Sequence, residues 1–166
     1  ITDTLGGLKF EISAASFFQV NPIQAAVLYE SALSLAKVGP KDTVLDLYCG
    51  IGTIALLAAS KAKKVIGVEI VKDAIEDAKR NAALNGIANV EWIQADAGKA
   101  VESLIENKTK IDVLVVDPPR KGLDETTRQA ILTLKAPKVV YVSCDPGTLV
   151  RDLKILSEHY SIEKIE

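Results

Sequence analysis

Two short stretches carry side chains that could do covalent chemistry. Ser143-Cys144-Asp145-Pro146-Gly147 stands where an apolar run gives way to a helical pattern from about Thr148 to Glu158. A thiol at a strand end facing a helix N-terminus is suited to nucleophilic attack near neutral pH. The adjacent Asp145 works against a thiolate, and packing in a core is the commoner fate of one cysteine, so position alone leaves Cys144 balanced between the two readings. Asp117-Pro118-Pro119-Arg120 follows another apolar run. Its prolines fix the backbone and leave carbonyls free to accept from a substrate amide or amine. The alternative is a rigid turn whose Asp caps a helix. Cys49 falls inside a glycine turn and reads as structural. His159, the only histidine, follows the last helical pattern, which speaks against histidine-dependent hydrolysis.

A third stretch has the makings of a nucleotide-like binding turn. Asp46-Leu47-Tyr48-Cys49-Gly50-Ile51-Gly52-Thr53 ends a strand and opens a helix, where glycines let a ligand approach backbone amides. Glu69 ends the next strand, 17 residues after Gly52, where a carboxylate can accept from ribose hydroxyls. Asp96 and Asp117 end the third and fourth strands, so with Asp46 and Glu69 the expected rim carries four carboxylates. The glycine spacing by itself also fits a dinucleotide. Charge separates the two: a dinucleotide brings anionic phosphates to an acidic rim, whereas S-adenosylmethionine brings a sulfonium and an ammonium against one carboxylate. S-adenosylmethionine is the expected cofactor, with NAD the alternative.

These residues need a frame, and the spacing of apolar residues supplies one. Thr43-Leu47, Val65-Glu69, Val90-Gln94, Ile111-Val116, Val139-Ser143 and Tyr160-Ile165 read as strands alternating with helical segments. Little polar alternation in Ile111-Val116 fits a strand covered on both faces, so the expected fold is α/β, Rossmann-like, with a doubly wound and mostly parallel sheet. Residues 1–40 add a leading strand at Leu8-Ile12 and a helix. Asn21 is its N-cap, Pro22 its first residue, Leu28, Ala32 and Leu35 its core stripe, and Gly39-Pro40 closes it off. Residues 41–166 form the Rossmann-like core, and 1–166 reads as one domain.

Composition narrows the partners. The 166 residues are 48% apolar with a net charge of −2, so no global basic field would grip a phosphate backbone, and only Arg120, Lys121 and Arg151 flank the expected site. Two unclustered cysteines suit a reduced, cytoplasmic setting, and no apolar stretch reaches membrane-helix length. The sequence lacks Met, even at position 1, which reads as a piece of a longer protein.

Taken together, Phe17-Phe18-Gln19-Val20-Asn21-Pro22, Asp46 to Thr53, Asp117-Pro118-Pro119-Arg120-Lys121-Gly122 and Val142 to Asp152 resemble the catalytic domain of RNA (uracil-5) methyltransferases, a class I S-adenosylmethionine-dependent group. Methyltransferases of base exocyclic amines use a similar Pro-Pro loop but follow it with an aromatic. Arg120 stands there instead. The resemblance implies Cys144 as the nucleophile that adds to uracil C6, and Asp117 as the group that orients the base and stabilises its charge. It implies cofactor contacts from Gln19, Asp46, Tyr48, Gly50, Gly52, Thr53, Glu69, Asp96 and Asp117. Ribosomal RNA is preferred over transfer RNA as substrate by analogy alone. The family's proton-abstracting Glu lies beyond Ile165-Glu166, and its N-terminal RNA-binding domain has no counterpart here. Cofactor binding without efficient turnover is therefore expected of this piece. A non-catalytic cofactor-binding fragment stands as a further alternative.

Overall fold

The computed structural model describes residues 2–13 and 21–166. Strands β1 (Thr2–Leu5) and β2 (Leu8–Glu11) form an antiparallel hairpin. Gly6 and Gly7 form its two-residue turn at φ +57° and +80°, the backbone that a tight hairpin needs and that glycine adopts without strain. Helix α1 (Pro22–Leu35) begins as expected: the Asn21 side chain accepts from the Gln24 amide and Pro22 fills the first turn. From there strand and helix alternate: β3 (Thr43–Leu47), α2 (Thr53–Ala59), β4 (Lys64–Glu69), α3 (Lys72–Leu84), β5 (Val90–Gln94), α4 (Ala97–Glu106), β6 (Val113–Val116), α5 (Glu125–Leu134), β7 (Lys138–Tyr141) and α6 (Pro146–Leu156).

The last five strands form one parallel sheet in the order β5-β4-β3-β6-β7. The chain first builds outward from β3 on one side, then crosses to β6 on the other. That reversal leaves a crevice at the carboxyl ends of β3 and β6, where ligands of such sheets sit. Val44, Leu45 and Leu47 of β3 and all of β6 are fully buried, as a central strand between two helical layers requires. Burial of each such side chain is worth about 1.5–3 kcal/mol. One core layer joins Tyr29, Leu33, Ile54 and Leu56 of α1 and α2 to the sheet, and the other joins Val101, Leu104 and Ile131 of α4 and α5.

Two expectations fail. Leu28 and Leu35 of α1 are 49% and 40% exposed; of the expected stripe only Ala32 is buried, and the helix adds Ala25, Tyr29 and Leu33 to the core instead. The helix is apolar almost all round, so its pattern holds no clear inner face. Residues 160–166 form no strand. Tyr160 rests against the core with its hydroxyl near the Ile131 carbonyl, but no strand pairs with the segment among the described residues, and Ile162 and Ile165 are 54% and 71% exposed.

Candidate active site

Each parallel strand delivers one chemical group to the same edge of the sheet. Leu47 of β3 is followed by Tyr48 and the glycine turn; β4 ends on Glu69; β5 is followed by Asp96; β6 by Asp117; β7 by Ser143 and Cys144. Parallel register places these ends side by side, with Leu47 opposite Val68 and Val116. Gln19 lies outside the described residues.

The glycine turn is anchored to the end of β4 at two successive amides. Its Cys49 amide donates to the Val68 carbonyl at 3.0 Å, and its Gly50 amide donates to Glu69 Oε2 at 3.1 Å. The other oxygen of Glu69 accepts from the Val71 amide at 2.9 Å. Two backbone donors therefore aim this carboxylate while leaving lone pairs for hydroxyls. Tyr48 holds φ at +66°, an uncommon conformation for an aromatic residue, and Gly52 at +89° caps α2 just before Thr53. Beneath the turn lies Trp92 of β5. A Cβ on Gly52 would come within 2.7 Å of its ring, and a Cβ on Gly67 within 2.6 Å. Sequence reading missed Trp92, although a glycine inside strand β4 is the mark of such a close approach. Cys49 is buried with its Sγ beside Gly67, where burial pushes its thiol pKa well up.

The carboxylates differ in their surroundings. Asp46 is fully buried, and neither side-chain oxygen finds a hydrogen-bond partner among the described residues. Burial pushes its pKa well above the carboxylate range; Asp117 and Glu69 add to this, and the Ala55 amide opposes it. Burial also raises Asp117 to about 6, against a weak hydrogen bond from the Tyr29 hydroxyl at 3.4 Å. Tyr29, on α1, is a second residue that sequence reading missed. Asp96 caps α4 by accepting from the Lys99 amide at 3.3 Å, so it is a strand-end acid with a structural duty as well. A hollow of about 40 Å³ is lined by Tyr48, Glu69 and Asp96 with Val68, Ile70, Ala95 and Ala97. A larger cavity of about 370 Å³ lies farther along β5 and α4, and of the expected site residues it holds none.

Cys144 is exposed and free, on the short link between β7 and α6. Ser143 Oγ accepts from the Asp145 amide at 3.1 Å, and Asp145 caps α6 by accepting from the Thr148 amide at 2.9 Å. Asp145, not Asp117, is thus the helix cap of this region, along with Asp124 of α5. The link is tied to the Asp117 loop through Asp152. This buried carboxylate accepts from the Leu123 amide at 2.8 Å, the Tyr141 hydroxyl at 2.7 Å, Arg128 Nη1 at 3.1 Å and Arg151 Nη2 at 2.8 Å. Burial works against its charge, but these donors more than offset that and hold its pKa below the ordinary value. Arg151 also donates to the Lys121 carbonyl at 2.8 Å, and Thr148 to the Arg120 carbonyl at 3.1 Å. Arg151 is therefore committed to structure, while Arg120 and Lys121 are exposed at the rim.

An open parallel sheet with a glycine turn and carboxylates at its switch point is the arrangement on which α/β proteins bind nucleotide-like ligands, and the solved structures it resembles include methyltransferases. The chain belongs to the tRNA (uracil-5-)-methyltransferase family, whose profile matches residues 6–166. An uncharacterised RNA methyltransferase of Halalkalibacterium halodurans is 55% identical over 158 residues, which cover 95% of this chain and 34% of the relative. One from Listeria innocua is 52% identical over 167 residues, covering 100% of this chain and 37% of the relative. The chain thus spans about a third of the length of these relatives. The crystal structure of Pyrococcus abyssi tRNA (uracil-54, C5)-methyltransferase in complex with S-adenosyl-L-homocysteine superposes with a TM-score of 0.82 at 31% identity, covering 99% of this chain and 39% of that one. The dinucleotide alternative gains no support from these likenesses.

Proposed function

We propose that this chain is the cofactor-binding and nucleophile-bearing part of an S-adenosylmethionine-dependent RNA uracil-5 methyltransferase. The observation that carries the cofactor is Asp46. A fully buried carboxylate with no hydrogen-bond partner among the described residues, next to two further acids, would have its charged form favoured by a cationic guest. Tyr48, Gly50, Gly52, Thr53, Glu69 and Asp96 would hold the nucleoside end, with Glu69 already aimed by two amides. Asp46 and Asp117 would face the charged end, and Gln19 would complete the set. S-adenosylmethionine supplies a methyl group on a sulfonium.

Cys144 has the exposure that a nucleophile toward a macromolecule needs. Its thiolate adds to uracil C6, forming a S–C bond while the C5–C6 π pair moves into an enolate over C5, C4 and O4. Asp117 would orient the base, and polar groups of its loop would meet the negative charge growing at the base carbonyl. The electron pair at C5 would then form the bond to the methyl carbon as the sulfonium–methyl bond breaks and S-adenosylhomocysteine leaves. Loss of the C5 proton to a base returns an electron pair to the ring, and the Cys144 sulfur leaves.

The family description and the Pyrococcus abyssi enzyme both name transfer RNA. The preference for ribosomal RNA drawn from the sequence therefore enters the test as one of two substrates. Transfer and ribosomal RNAs carrying 5-fluorouracil, incubated with the protein and S-adenosylmethionine, should yield a covalent adduct, because fluorine cannot leave as a proton. Cys144→Ala should give none. An adduct that survives in Cys144→Ala, or no adduct with either RNA, sinks the covalent mechanism.

A further inference from the structure

Helix α3 presents three polar side chains to β2 in steps of four residues. Asp77 accepts from the Ser13 amide at 3.3 Å. Asn81 accepts from the Glu11 amide at 2.7 Å and donates to the Glu11 carbonyl at 3.2 Å. Asn85 accepts from the Lys9 amide at 2.9 Å and donates to its carbonyl at 2.7 Å. Four helical residues rise about 6 Å and two strand residues about 6.7 Å, so the two repeats nearly match over this length. The helix side chains thus pair with β2 as a neighbouring strand would, on the edge that β1 leaves open. Ser13, at the end of this ladder, is where the chain sets out toward Gln19.

Asn81 does one thing more. It is fully buried, and its amide also donates to the Ile51 carbonyl, in the middle of the glycine turn, at 3.2 Å. The Ile51 carbonyl and the Gly52 amide belong to one rigid peptide plane, so holding the first fixes the direction of the second. That amide closes the turn onto the Cys49 carbonyl at 2.8 Å. One side chain therefore joins the turn that would carry the cofactor to the strand that leads into the Gln19 segment.

We infer that Asn81 is a positioning residue for cofactor binding, coupling the glycine turn to the β1–β2 hairpin. The inference rests on the cofactor reading above. It implies that the hairpin senses the cofactor, although the hairpin lies outside the sheet.

The control is Asn89, which donates to the Ala59 and Ala62 carbonyls at 2.9 and 3.1 Å at the opposite end of the sheet. Asn81→Ala and Asn89→Ala should both lower the Tm. Only Asn81→Ala should weaken S-adenosylhomocysteine binding, by about tenfold, as measured by titration calorimetry. Hydrogen exchange on the unaltered protein gives an independent readout: the cofactor product should slow exchange of the Glu11 amide through Asn81. An unchanged affinity in a folded Asn81→Ala, or unchanged exchange at Glu11 on saturation, overturns the positioning role. Absence of binding by the unaltered chain sinks the cofactor reading itself, a distinct outcome.

Discussion

Asp117 titrates at about 6, so its charge changes within the range where enzymes are commonly assayed. Because its folded pKa lies above that of an unfolded carboxyl, its contribution to stability is fully present below about pH 4 and lost as pH rises through about 6. Asp117→Asn should remove that slope: the variant's Tm, set against the unaltered protein's, should climb between about pH 4 and pH 7, as calorimetry would show. A bound sulfonium reverses the preference, since it favours the ionised acid. S-adenosylmethionine should gain on neutral-sulfur S-adenosylhomocysteine by roughly tenfold across the same interval. A ratio of affinities flat with pH would remove Asp117 and Asp46 from the sulfonium's surroundings. Asp46 was named from its place near a strand end, but that its oxygens are buried and unpartnered among the described residues is a property of packing, which no local pattern announces.

Among the elements, the contact between β4 and β5 is the most exacting. Gly67 is a strand residue whose missing side chain makes room for the Trp92 ring. Gly67→Ala should destabilise by about 1–3 kcal/mol through overpacking, and Trp92→Leu should suppress much of that loss in the double variant, as denaturant unfolding would show. Gly52→Ala should resist the same rescue, because its φ of +89° strains any side chain regardless of space. The central strands β3, β4 and β6 were legible because buried parallel strands are largely apolar runs, the outer strands β5 and β7 through their β-branched and aromatic residues, and α1 announced its start through Asn21 and Pro22. Its buried face was not legible, since Tyr29 and Leu33 compete with Leu28 and Leu35 on a helix with apolar residues all round. β1 escaped notice because Thr2–Leu5 has one buried residue, Leu5, and draws its order from the hairpin partner. The site's end groups were readable one by one, whereas the Asp152 and Asn81 hubs join residues 29 and 70 positions apart, a relation only folding creates.

For the molecule as a whole, any ligand that binds only the folded chain adds to its stability. S-adenosylhomocysteine at about a hundred times its Kd should contribute about 2.7 kcal/mol, a Tm rise of about 5–10 °C for a domain of this size. NAD at the same concentration should leave the Tm unchanged, and a rise with NAD alone would revive the dinucleotide reading. Tyr48 sets a limit on how far such robustness can be improved. Its backbone sits where glycine would rest at ease, while its ring packs against the core and walls the hollow beside Glu69, so Tyr48→Gly should relax the turn yet lose stability on balance. Selection for heat tolerance alone would therefore keep the ring for its packing, and the strained turn beneath the hollow would be inherited along with it.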